Sequence, residues 1–401
     1  YSIQFVEQLE SIDGFSRLNK NFINSAYKRD IPFMIFSREI IQYGWGKKGF
    51  HLGGTFTEKT PRNSVVTVRN KYITSLILKK AGFPVPEEAL VKNHLQCIKF
   101  TKKFGYPVVL KPADKDSGEG IEADILNTEQ LIKAFDRCKK ISKNVLIQCF
   151  IKGTYYRFTT VNGKVVWIYQ IEEAFVLGDG KSSLSILIKK ENATSKRTYP
   201  YKKILINDTA KSLIKRQNLK LESIPKKGQK IQLGVVKNSY NGGIPVVIPP
   251  EKVHPDNILL IERAANLFRL DITGIDFFIS DISKKWYEVE TKILEINSCP
   301  DLSPSGPHLY DVILTQSIPG NGRIPSALIF KEKNQDINLN SFISFCITNN
   351  KKVGIYSQNE IRINETIISN KSKSEIDGVK ILLMDTSIDF LIMIVEKKTP
   401  F

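Results

Sequence analysis

Cysteine is sparse and shows no pairing pattern. The five residues, Cys97, Cys138, Cys149, Cys299 and Cys346, are odd in number and never fall in a CxxC spacing. That excludes a disulfide framework and a cysteine-built zinc site as organising features. The four histidines (His51, His94, His254, His308) lie far apart and none is paired at ligand spacing, which speaks against a histidine metal centre. Long apolar runs are missing as well. The longest, "FLIMIV" from Phe390 to Val395, is far short of a bilayer span, and the first residues carry no signal-peptide pattern. Tyr1 stands where a methionine would open a full chain, which reads as a fragment or a processed form. No repeat or low-complexity segment stands out. Together these absences point to a globular protein of a reducing, cytoplasmic setting.

What is present is ordinary in bulk and specific in detail. With 401 residues, 41% hydrophobic and 25% charged, the chain has room for two or three domains. The formal charge of +18 comes from lysines spread along the chain, mostly in pairs such as those at 47, 79, 102, 139 and 189. It reads first as solvated surface and next as attraction for an anionic substrate or nucleotide. No basic stripe is interleaved with aromatics, so nucleic acid is not expected as a partner.

Residues 1–66 run from a helix-like "VEQLESIDGF" to the glycine-rich "QYGWGKKGFHLGG" and read as the tail of an α/β unit. From Val65 one helix is expected up to Gly82, with Tyr72, Ile73, Leu76 and Ile77 on one face. A compact α+β module follows: strand "ALV", helix "HLQCIKFTKKFG", strand "PVVLKPA", a glycine loop, helix "NTEQLIKAFDRCKK" and strand "VLIQCFI". Two further strands meet at Asn162-Gly163, a hairpin dipeptide. Beyond them come a charged helix, the glycine-rich "NSYNGG", the helix "HPDNILLIERAANLFRL" and two apolar strands, "ITGIDFFIS" and "KILEINS".

The last two strands carry the first chemical signal. Asp276 interrupts an apolar strand, and Glu295 and Asn297 stand two apart, hence on one face. Two carboxylates and an amide oxygen on adjacent strands make an all-oxygen set suited to Mg²⁺ bridging phosphates. Alone, they would equally suit an antiparallel pair with one wet face. Upstream, "PVVLKPADKDSGEG" puts Lys111 at the end of a strand and follows it with Ser117, Gly118 and Gly120. A lysine can meet a phosphate as a point charge, and glycines let backbone N–H groups approach one closely, although such a loop is often only a turn. Lys71, after Asn70, is equally ambiguous by itself. Cys299 lies beside the metal strand without a nearby histidine as base, so a core thiol is a better reading than a nucleophile.

In their order along the chain, these segments resemble an ATP-grasp ligase, and more closely the ATP-grasp portion of the cyanophycin synthetase family. The further matching stretches are "GDGKSSLSILI", the helix and strand from His254 to Ser283, and "QYGWGKKGFHLGGTFTEKT". The resemblance covers nearly the whole chain and is most specific over residues 238–300. It implies an α+β ATP-grasp fold, with two lobes clamping a nucleotide, and a short α/β C-terminal tail. The implied domains are an N-terminal α/β remnant (1–66), the ATP-grasp domain (67–315) and a degenerate Mur-ligase-like tail (316–401).

The resemblance further implies ATP and Mg²⁺ as cofactors and a set of site residues. Lys71 and Lys111 would hold phosphates, and the loop with Ser117, Gly118 and Gly120 would fold over the γ-phosphate. Gln148, Cys149, Phe150 and Ile151 would form the hinge against adenine, and Asp276, Glu295 and Asn297 would ligate magnesium. Arg157 and the loop Asn241, Gly242 and Gly243 would join Lys111 in catalysis. The chain departs from the family pattern at Gln148 and Tyr155, where the family often has acids, at Gly234 for an arginine, at Asp301 for a glycine, and at Glu172 or Glu173 for a basic residue. After "GRIP" the family opens a P-loop domain, whereas "SALIFKEKNQDI" has neither its glycines nor its Lys-Thr pair.

The implied activity is an ATP-dependent carboxylate–amine ligase that forms a peptide or isopeptide bond through an acyl phosphate. Its substrate partner would be an amino acid or peptide, with no membrane partner and with a homo-oligomer allowed. Two alternatives stand beside it: a degenerate, non-catalytic nucleotide- or peptide-binding scaffold, and a tailoring enzyme acting on a ribosomal peptide.

Overall fold

The computed structural model describes residues 14–114, 120–194, 203–234, 243–302, 308–332, 335–369 and 374–396. Two compact units divide the chain, one formed by Tyr1–Lys59 with Gly306–Phe401 and the other by Thr60–Ser305. The stretches at the two ends therefore pack as one body, and the unit between them is an insertion in sequence.

In the end unit, helix α1 (Arg17–Lys28) precedes a four-stranded antiparallel meander of β1 (Phe33–Ile35), β2 (Ile41–Tyr43), β3 (Phe50–Gly53) and β4 (Phe56–Thr57). The glycine-rich "GWGKKG" after β2 is structural. Lys47 N–H donates to the Ile388 carbonyl and Trp45 N–H to that of Gly322, both at 2.8 Å. Gly46 has φ +53°, and a Cβ there would lie 2.5 Å from the Ile388 oxygen. No side chain fits at that approach.

The middle unit begins with two helices where one was expected: α2 (Arg62–Arg69) and α3 (Lys71–Lys80). Asn70 divides them, because its side chain accepts from Ile73 N–H at 3.1 Å and caps the second helix. The buried face of α3 also differs from the expected one. Thr74, Ser75 and Leu78 are buried, while Ile73 and Leu76 are 41% and 37% exposed. The Thr74 hydroxyl is satisfied there by the Thr67 and Asn70 carbonyls, at 3.1 and 2.9 Å, so burying it leaves no polar group unpaired.

Next comes the first lobe: β5 (Glu88–Val91), α4 (His94–Phe104), β6 (Val108–Pro112), β7 (Glu122–Ile125), α5 (Thr128–Ile141) and β8 (Val145–Cys149), with sheet order β5-β8-β6-β7. Val108, Leu110, Val145 and Ile147 face the helices and share a core with Phe100, Leu131 and Phe135. Burying each such side chain is worth about 1.5–3 kcal/mol. The strands alternate, so Lys111 and Gln148 occupy the opposite face.

The second lobe holds β9 (Thr154–Val161) and β10 (Lys164–Glu172), turned at Asn162 and Gly163 with φ +50° and +73° as the dipeptide predicts. A ribbon of β11 (Phe175–Leu177) and β12 (Lys230–Gln232) closes a small core with α6 (Leu184–Asn192) and α7 (Asp208–Arg216). Then follow β13 (Ile244–Val247), α8 (Pro255–Leu267), β14 (Ile272–Ile279) and β15 (Thr291–Asn297), giving the sheet β13-β10-β9-β14-β15. Phe158, Ile275, Phe277, Ile293 and Ile296 point into one core with Leu260 and Ile261 of α8.

The end unit is completed by α9 (His308–Ser317), β16 (Ser326–Lys331), α10 (Asn340–Thr348), β17 (Val353–Tyr356), β18 (Ile361–Ile363), β19 (Thr366–Ser369), α11 (Glu375–Met384) and β20 (Phe390–Glu396). The sheet order is β16-β20-β17-β18-β19, with β16, β20 and β17 parallel. Phe22 of α1 meets Tyr310 of α9 edge-on at 4.8 Å, and Asn21 Nδ2 donates to the Tyr310 hydroxyl at 3.0 Å. Among the described residues no helix is long and apolar enough to cross a membrane.

Candidate active site

The site is built where β14 and β15 turn their second face toward the first lobe. Ile293 and Ile296 are three apart, so strict alternation would put them on opposite faces. A bulge resolves this: Asp276 pairs with Glu295 while Phe277 pairs with Ile293, leaving Leu294 as the extra residue. Both isoleucines then reach the core at 1% exposure, and Glu295 and Asn297 stand together opposite it.

On β9, Arg157 lies directly across from Asp276. Its Nε is 2.5 Å from Asp276 Oδ1. The Nε–H itself is aligned on the Tyr155 hydroxyl at 3.2 Å, so Asp276 Oδ1 is buried without an aligned hydrogen bond. The Asn297 amide, in the orientation that satisfies both ends, donates to Glu295 Oε1 at 3.0 Å and accepts from Arg157 Nη1 at 3.1 Å. Burial pushes the Asp276 carboxyl up to about 6, with Arg157 holding it down and Glu295 adding to the rise. Two carboxylates and an amide oxygen gathered on one face form a donor set that suits a hard cation.

Gly274 makes room for this arrangement. A Cβ there would lie 2.7 Å from Arg157 Nη1 and 2.9 Å from Pro300 Cβ. Gly274→Ala is expected to push the guanidinium off Asp276 and Asn297 and to destabilise the chain by about 1–3 kcal/mol, as overpacking a close contact does. A thermal melt against wild type would check this.

Two lysines approach from the other side. Lys71, the first residue of α3, has its Nζ 3.6 Å from Glu295 Oε1. Lys111, 6% exposed, donates to Gln148 Oε1 at 3.3 Å. Burial pushes the Lys111 ammonium down from the ordinary lysine range, and Glu88, Glu295 and Asp276 pull it back. Lys71, Arg157, Asp276, Glu295 and Asn297 thus meet at one locus, and Lys111 with its partner Gln148 lies within electrostatic reach of its two carboxylates.

Gly120 has φ +71°, and its carbonyl accepts from Cys138 Sγ at 3.1 Å. In the hinge stretch, Cys149 N–H donates to Glu87 O at 2.9 Å and Phe150 N–H to Pro107 O at 3.0 Å, and Phe150 is 38% exposed. Gly243 is buried. Ser117, Gly118, Asn241 and Gly242 lie outside the described residues. Among the described residues, no group of three or more His, Cys, Asp or Glu side chains gathers to hold a metal. The present set has only two acids and an amide, so it suits a cation whose shell is completed by phosphate oxygens and water. Glu88 was not singled out from the sequence. The available signal was a carboxylate entering an apolar strand at "PEEALV".

No family model matches the chain. It is 28% identical to cyanophycin synthetase of Synechocystis sp. over 97% of this chain and 47% of that protein. It is 32% identical to cyanophycin synthetase of Trichormus variabilis over 69% of this chain and 31% of that protein. A bifunctional glutathione biosynthesis protein of Clostridium perfringens matches at 29% identity, over 69% of this chain and 37% of the relative. The chain spans less than half the length of these curated relatives. Among solved structures, a bifunctional glutathione synthetase from Pasteurella multocida has a TM-score of 0.56 at 23% identity, over 73% of this chain and 41% of that one.

Proposed function

We propose that this chain, which has an ATP-grasp fold and is homologous over most of its length to cyanophycin synthetases, is an ATP-dependent carboxylate–amine ligase. The observation that carries the reading is the cluster of Arg157, Asp276, Glu295 and Asn297 on one sheet face with Lys71 Nζ 3.6 Å from Glu295 Oε1, beside a strand-borne, buried Lys111.

In this reading Lys71 and Lys111 hold phosphate oxygens, the 117–120 loop covers the γ-phosphate, and residues 148–151 border the adenine. Asp276, Glu295 and Asn297 would hold Mg²⁺, which when bound neutralises phosphate charge. Arg157, kept charged by Asp276 despite burial, adds a fixed cation beside the reacting groups, and the 241–243 loop borders the substrate. A substrate carboxylate takes the γ-phosphoryl group to give an acyl phosphate and ADP. An amine then displaces phosphate from the acyl carbon, forming the amide. The protein's contribution is positioning and charge neutralisation. The carboxylate and the amine belong to an amino acid or peptide. We place the enzyme in the cytoplasm, where its free cysteines stay reduced, and read residues 316–401 as a degenerate Mur-ligase-like tail.

The test is phosphate release with ATP, Mg²⁺ and a panel of amino acids and short peptides. The expected products are ADP and phosphate in equal amounts, formed only with an accepted substrate pair. AMP and pyrophosphate as the stoichiometric products would end this mechanism.

A further inference from the structure

We propose that Glu88 is a positioning residue, which orients the Gln148 amide and supplies the counter-charge that holds the Lys111 ammonium in place for a phosphate; this rests on the reading of Lys111 as a nucleotide ligand. Glu88 and Gln148 are direct cross-strand partners on β5 and β8, and Gln148 is opposite Val109 on β6. Lys111 lies two residues beyond Val109, so all three polar side chains share the sheet face opposite the helices.

The hydrogen bonds run in one direction across that face. Gln148 Nε2 donates to Glu88 Oε2 at 2.7 Å, which turns Gln148 Oε1 toward Lys111 Nζ at 3.3 Å. The opposite amide orientation would set an NH2 group against an ammonium. An amide alone leaves the lysine charge unbalanced, and Asp276 and Glu295 are committed to the cation in the functional reading. Glu88 is the remaining carboxylate. No hydrogen bond of regular geometry reaches its buried Oε1, although the Ser75 hydroxyl of α3 lies near enough to help bring the carboxyl down. A desolvated, half-satisfied carboxylate is costly unless a nearby charge compensates it. Burial raises the Glu88 carboxyl and Lys111 is the foremost group bringing it down, while Glu88 is the foremost group restoring the Lys111 ammonium.

Moving the charge by one strand separates this role from packing. Glu88→Gln removes the charge and keeps the shape. The double change Glu88→Gln with Gln148→Glu returns a carboxylate to Lys111 directly. Two measurements are made: ATP binding by calorimetry on wild type and the single variant, and acetic anhydride labelling of Lys111 without nucleotide on all three proteins, read by peptide mass spectrometry. Glu88→Gln is expected to weaken ATP binding about tenfold and to speed Lys111 labelling as the neutral amine gains population; the double change also alters an adenine-bordering residue, so it is read by labelling alone, which it is expected to return to within about threefold of wild type. Equal labelling in all three proteins, or a double change no better than the single one, would overturn the inference. The expected labelling pattern with no ATP binding by wild type or the single variant would uphold the Glu88 role and sink the nucleotide reading. If neither variant folds, Glu88 is a packing residue and the inference falls; if only the double variant folds, and labels like wild type, the charge is the cause.

Discussion

Replacing Asp276 by asparagine, or Glu295 by glutamine, will cut ATP turnover by on the order of a hundredfold or more while leaving the chain folded. Each change keeps the volume and one oxygen but removes a negative charge from the only two carboxylates of the candidate metal set. Phosphate charge would then be under-neutralised at the point of transfer. Alanine is the poorer choice at 276, because Arg157 is buried against that carboxylate. Both changes at 276, to asparagine or to alanine, leave the buried guanidinium without its counter-charge, at a cost of up to about 3–5 kcal/mol, and alanine adds a cavity and removes the remaining oxygen, so the melt is needed to separate lost activity from lost structure. Glu295 is easier, since its side chain and that of Lys71 retain 21% and 10% exposure. The checks are phosphate release over a Mg²⁺ titration and a thermal melt. Wild-type turnover in both variants would put the metal elsewhere.

Lys111→Met will abolish measurable nucleotide binding, and wild-type protein will bind close to one ATP per chain in calorimetry. Methionine fills the volume without the charge, so loss of binding would report the ammonium itself. The stoichiometry follows from the end unit. A P-loop works because glycines let successive N–H groups turn toward phosphates. After β16 the chain instead reads "EKNQD", and Lys331 is already paired with Glu396 at 3.3 Å. Glu332 and Asp336 would repel a phosphate there. A second saturable site surviving the Lys111 change would show that the end unit binds nucleotide on its own.

Much of the site was legible because it sits on strands whose other face is core. Asp276, Glu295 and Asn297 break an apolar pattern, and period-two alternation is enough to gather them. The same rule leaves Ile293 and Ile296 in conflict, since a bulge depends on a neighbouring strand that no local pattern reveals. The face of α3 was misread for a related reason. Hydrophobic periodicity selects the greasiest stripe, but this helix turns Thr74, Ser75 and Leu78 inward, with the Thr74 hydroxyl satisfied by the Thr67 and Asn70 carbonyls. Glu88 escaped notice because its meaning arises only once Gln148 is placed beside it.

The split of the end unit across the sequence has a consequence for synthesis on the ribosome. Phe22 and Trp45 emerge before the inserted unit, yet Tyr310 and Gly322, which they meet, are translated after the whole of residues 60–305. At about 5–20 residues per second, that interval is on the order of tens of seconds. Throughout it helix α1 waits with its buried face of Phe22, Ile23 and Ala26 uncovered, while the inserted unit can complete its own core.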